Sequence, residues 1–116
     1  MSKESSELLR GTLVTLVLSV LETRTLYGYD IARHIRALTG GVLHLREGSL
    51  YPALHSMERD GLLVAEWLTV TRGASRKYYR LTRKGRAALA KRRSQWRKFR
   101  DAVDTVVAIH PADGTS

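Results

Sequence analysis

Apolar residues at helical spacing open the pattern of the chain. Leu8, Leu9, Thr12, Leu13, Leu16, Val17, Val20 and Leu21 recur every three or four positions, which predicts a first helix over about 6–22 with Ser5 or Ser6 as its N-cap. This helix is apolar on nearly all sides, so more than one neighbour must cover it, and a second subunit is the simplest supplier. Residues 26–28 form a short break. Ile31, Ile35 and Leu38 then mark the inward side of a second helix over about 29–38, which Gly40 and Gly41 end.

A third helix begins near Glu47, with Leu50, Leu54, Met57 and then Leu62 and Leu63 as its buried stripe. Proline is tolerated in the first turn of a helix, so Pro52 puts that turn at about 49–52, and Gly61 is the natural residue to end it. Two strands follow, at about 63–70 and 75–81, with Gly73 free to take positive φ in the turn between them. Alternation places Tyr79 and Leu81 on one face and Arg76, Tyr78 and Arg80 on the other, while Trp67 and Leu68 compete for the inward face of the first strand.

Thr82 caps a long last helix, about 83–108. Leu89, Trp96, Phe99, Val103 and Val106 recur at intervals of seven, three, four and three, a heptad seam in which Arg92 takes one core position. So narrow a seam on a charged helix implies a helical partner. Three helices, two strands and a helix make a mainly α fold with a two-stranded β-wing: a winged helix-turn-helix plus a long C-terminal dimerisation helix. The expected division is 1–82 for the N-terminal helix and DNA-binding unit, 83–108 for the dimerisation helix and 109–116 for a flexible tail.

Charge sharpens this picture. The 116 residues carry a net charge of +9, and the first sixty hold seven of the twenty Lys and Arg together with seven of the eleven acids. Thirteen basic residues and no acid lie between Glu66 and Asp101. A surface kept merely soluble would mix the signs, so this segregation points to a polyanionic partner. Absence of cysteine excludes disulfides and thiolate metal sites. The apolar run 12–21 is about half the length of a membrane span. Glu4 and Glu7 precede it, and Glu22 and Arg24 stand where a signal peptide would need small residues. A buried helix, a cytoplasmic location and no membrane partner are therefore expected.

Nothing suggests an enzyme. His34, His44, His55 and His110 are scattered without metal-ligand spacing, no glycine-rich loop has a phosphate-binding pattern, and Glu58 and Asp60, two apart, do not share a helix face. No metal and no cofactor are expected. The candidate chemistry is nucleic-acid recognition. Ser49, Tyr51, Pro52, His55 and Arg59 lie off the apolar stripe of the third helix and can meet base edges or phosphates. Tyr51 beside Pro52 reads as an exposed phenol with little to do for folding. Arg72, Arg76 and Lys77 are placed at the hairpin tip, where they would neutralise phosphates. Tyr29 opens the second helix, where a backbone contact and a core role are equally open.

The segments LLRGTLVTLVLSVL, LYGYDIARHI, REGSLYPALHSMERDGLL and RKYYRLTRKGRAAL together closely resemble the PadR family of transcriptional regulators, from about residue 8 to 106. With one helix after the wing, the chain is similar to the short subfamily. The resemblance implies a homodimer joined through the first and last helices, with double-stranded DNA as partner. It also implies a repressor at an inverted-repeat operator, and a small aromatic effector as an option. Trp96 and Phe99 would line such an effector's pocket between subunits, although a plain dimer core is the simpler role for both. The alternative is a non-specific or architectural DNA-binding protein without ligand response.

Overall fold

The computed structural model describes residues 11–71 and 73–108. In chain order these form α1 (Leu13–Val20), β1 (Leu26–Tyr27), α2 (Gly28–Leu38), α3 (Glu47–Arg59), β2 (Leu63–Thr71), β3 (Ala74–Leu81) and α4 (Arg83–Val107). The expected start of the first helix, with Ser5, Ser6, Leu8 and Leu9, lies outside the described residues, as do Arg72 and the tail.

The later three helices and the wing appear where the periodicity puts them, whereas the first helix, expected over 6–22, is helical only from Leu13 to Val20 among the described residues, with Gly11 and Thr12 in a turn before it; there is also one addition. Residues 26–27, expected as a mere break, form a short strand that pairs antiparallel with β3, so the sheet has three strands in the order β1-β3-β2. Two residues are too few to show alternation in sequence, and only the proximity of β3 makes them a strand. The sheet ties the start of α2 directly to the wing.

Val17, Leu18 and Leu21 of the first helical segment meet Ile31 and Ile35 of α2, Leu50, Leu54 and Met57 of α3, and Leu63, Tyr79, Leu81 and Leu89 in one core. Leu38, expected inward, is instead exposed at the last turn of α2. The helix there has run past the core, so periodicity continues with nothing left to cover it. Neither Trp67 nor Leu68 is buried. Leu63 and Ala65, paired with Leu81 and Tyr79, occupy the core face of β2, and Trp67 continues that face beyond the core's edge.

The third helix starts at Glu47 as expected, which makes Pro52 its sixth residue and puts it beyond the first turn, expected at 49–52. The first turn closes on the Arg46 carbonyl, which accepts from the Ser49 and Leu50 N–H groups at 3.0 and 2.8 Å. Pro52 cannot donate to the carbonyl of Gly48, but both residues are exposed, so water can satisfy that group. At the other end Gly61 takes φ 79°, and the Leu62 N–H returns to the Met57 carbonyl at 2.9 Å.

The joint between wing and last helix is tightly built. The Thr82 hydroxyl accepts from the Gly85 N–H at 2.9 Å and donates to the Gly61 carbonyl at 2.6 Å. A Cβ at residue 85 would fall inside contact distance of the Leu62 carbonyl oxygen. Gly85 lets α4 start hard against the end of α3, which explains a glycine three residues after the capping threonine.

Candidate nucleic-acid interface

Helices α2 and α3 carry the helix-turn-helix, and the wing stands beside them. On α3, Ser49, Pro52, His55 and Arg59 are exposed, while Leu50, Leu54 and Met57 face the core. The division follows from helical spacing alone: the polar positions lie between the i, i+4, i+7 anchors.

Tyr51 differs from expectation. It is half-buried and packs against the core, and its ring lies where a Cβ on Gly28 would come to 2.8 Å from it. The lack of a side chain at residue 28 is what lets the α3 tyrosine lie across the first turn of α2. Burial, assisted by the Glu47 carboxylate, pushes the phenol above its ordinary pKa, so Tyr51 is a neutral hydroxyl at physiological pH. It therefore has structural work as well as a rim position.

Lys77 is corrected too. It pairs with Trp67, well back from the turn that joins Thr71 to Ala74, rather than standing at the hairpin tip. Its ammonium lies 3.1 Å from the Glu58 carboxylate on α3 and above the Tyr79 ring. The hydrogen bond to Glu58 raises the Lys77 pKa, so the ammonium stays charged. The alternation that buries Tyr79 necessarily turns Lys77 to the same side, toward α3, and that consequence was available from the sequence. Arg76 is exposed on the opposite face, its guanidinium 4.6 Å from the Tyr27 ring centre. Tyr27 in turn stacks on Tyr29 at 6.2 Å and 25° and touches Tyr78 at 5.6 Å. Tyr29 remains half exposed, with Arg33 over its ring.

Between these elements lies an open slot of about 340 Å³. Gly28 and the buried Tyr79 line it, as do Tyr27, Tyr29, Tyr51, His55, Trp67, Arg76 and Lys77. Five sequence candidates from three elements, Tyr29, Tyr51, His55, Arg76 and Lys77, thus share one surface. Sequence reasoning missed Tyr27 and Trp67, which join them through the register of the sheet. Ser49, Pro52 and Arg59 do not line the slot.

Helix α4 splits into two stretches. Gly85 and Leu89 are buried in the protomer's own core. Leu89 is thus removed from the expected dimer seam, since a residue 2% exposed has no surface left for a partner. From Ser94 to Ala108 every residue is exposed. Trp96, Phe99, Val103 and Val106 lie in that stretch, Trp96 and Phe99 with ring centres 6.1 Å apart. At the point of departure Arg93 grips the Glu22 carboxylate at 3.0 Å, and Arg86 donates to the Glu22 carbonyl at 3.0 Å.

The description "Transcriptional regulator PadR-like family" matches residues 17–91, from the first helix through the first turns of the last. The chain belongs to the PadR-like family of transcriptional regulators. Its fold agrees with the solved structures of the family and its relatives. A transcriptional regulator from Clostridium thermocellum superposes with a TM-score of 0.78 at 27% identity, over 85% of this chain and 96% of that one. A PadR family regulator from Eggerthella lenta is 36% identical with a TM-score of 0.74, over 90% and 88% of the two chains. Bacillus subtilis PadR, solved in complex with operator DNA, shares the fold with a TM-score of 0.63 at 24% identity, over 68% of this chain and 45% of that one. PadR-like proteins are regulators, not enzymes. Among the described residues, no helix is long and apolar enough to cross a membrane, and no group of three or more His, Cys, Asp and Glu could hold a metal ion.

Proposed function

We propose that this PadR-like protein is a homodimeric, sequence-specific DNA-binding regulator that represses from an inverted-repeat operator. The observation that carries the reading is the meeting of α3's exposed polar side with the wing around one slot, bordered by His55, Arg76 and Tyr29. That arrangement suits a helix in the major groove with a ribbon against the neighbouring backbone. Ser49, Tyr51, Pro52, His55 and Arg59 are the base-reading and phosphate residues of the helix, Arg72 and Arg76 those of the wing, with Lys77 held back by Glu58, and Tyr29 meets the backbone from α2. The operator complex solved for Bacillus subtilis PadR supports the choice of double-stranded DNA.

Dimerisation rests on the last helix. Trp96, Phe99, Val103 and Val106 form an apolar line in water on the free half of α4, which a second copy would cover. The region 83–108 is the dimerisation arm, through the free half of α4, and an aromatic effector would enter beside Trp96 and Phe99.

Selection of bound duplexes from a random pool at physiological salt tests the whole reading. An inverted repeat is expected, with half-sites ~10 bp or a multiple of that apart. Recovery of a single asymmetric half-site would sink the dimer, and equal recovery of all sequences would make the protein architectural.

A further inference from the structure

Trp67 is 67% exposed, although it lies on the strand face that Leu63 and Ala65 turn to the core. The register opposite Lys77 directs it toward the slot beside α3. An indole carries a large apolar surface, and leaving it in water forgoes the hydrophobic stabilisation that burial would give. Tyr29, 51% exposed, lines the same slot. The cations nearby are already engaged: Lys77 by Glu58, and Arg76 across the Tyr27 ring, where its N–H edges remain free to donate. The slot thus offers aromatic surface for an apolar body and a single cationic lip for one anionic group.

We propose that this slot seats one deoxyribose–phosphate unit of duplex DNA, with Trp67 packed on the sugar and Arg76 on the phosphate. The inference rests on the DNA-binding reading above and assigns Trp67 a contact of its own within it. The sugar presents C–H faces to the indole, and the contact is independent of sequence and of salt. Trp67 adds affinity without adding to counterion release, in contrast to a lysine or arginine on the same surface.

The chain has two tryptophans, so the full-length protein labelled with 5-fluorotryptophan gives two fluorine resonances, and Trp67→Phe assigns them. On addition of a ~30-bp duplex, chosen to exceed two half-sites a helical turn apart, the Trp67 resonance is expected to shift and lose its sensitivity to H2O–D2O exchange. Trp67→Ala should bind that duplex about tenfold more weakly at every salt concentration, with the slope of log K against log salt unchanged. Trp67→Phe should retain most of the affinity, because a ring still covers the sugar. Duplex binding with an unmoved Trp67 resonance overturns this inference alone, as does a melting-competent Trp67→Ala that binds like the native chain or loses salt slope. Failure of the native chain to bind any duplex overturns the DNA-binding reading and this inference together.

Discussion

The Lys77 ammonium and the Glu58 carboxylate, 3.1 Å apart, tie the wing to α3. The lysine most readily taken for a phosphate contact is therefore already partnered. With both side chains partly in water, the pair is worth no more than about 1 kcal/mol of stability. Its larger effect is on charge: Glu58 offsets a cation that DNA would otherwise meet. Glu58→Gln is expected to strengthen binding to any duplex and to steepen the salt dependence by up to about 0.9 in log–log slope. Lys77→Gln should change that slope little. Titrations at four or five salt concentrations decide, and a full unit lost with Lys77→Gln would show that the lysine leaves Glu58 on binding.

Gly28→Ala puts a methyl group into the Tyr51 ring. The ring can swing outward, so the cost is moderate, about 1–2 kcal/mol. Operator binding should weaken more than stability does, because Tyr51 then leaves its place on α3. Denaturant midpoints set beside gel-shift affinities measure the two effects.

Gly85→Ala should be far more harmful, because the obstacle is the Leu62 backbone and not a movable side chain. A loss of about 3 kcal/mol or more is expected, or failure to fold. Thr82→Ala, which removes the cap and its hydroxyl bonds to the end of α3, should cost about 1–2 kcal/mol. Thermal melting ranks the two variants, and the reverse order would contradict the packing described.

The Arg93 guanidinium holds the Glu22 carboxyl below the usual carboxylate range. A depressed folded-state pKa stabilises the fold above the unfolded glutamate pKa of about 4.3, and that contribution is lost as pH falls through the folded value. Glu22→Gln should therefore lower the melting temperature slightly at pH 7, by a margin that shrinks below pH 4. A constant margin across that range would rule the ion pair out as its source.

Trp96→Ala together with Phe99→Ala should convert the proposed dimer to monomer by light scattering while leaving the far-UV helical signal nearly intact, since neither ring is in the protomer core. A dimer of unchanged affinity would remove both residues from the interface.

Much of this protein was legible along the chain. Periodicity alone placed the core residues Val17, Ile31, Ile35, Leu50, Leu54, Met57, Tyr79 and Leu81, because burial on a helix or strand repeats with the geometry of the backbone. Thr82, Gly61 and Gly73 marked ends and turns through chemistry confined to a few neighbouring residues. The polar side of α3 could be read in the same way. What needed the tertiary structure were the relations between elements. The third strand exists because β3 lies beside residues 26–27, and Leu38 is exposed because the core ends before it does. Tyr51 is half-buried because Gly28, 23 positions earlier, leaves room for its ring. Lys77 is partnered because strand register carries it to Glu58, and Leu89 falls inside the protomer because it packs into the core shared with α1, α2 and α3, whereas Trp96 lies in the exposed stretch of α4. Local spacing determines which way a side chain leaves its own element; only packing decides what it meets there.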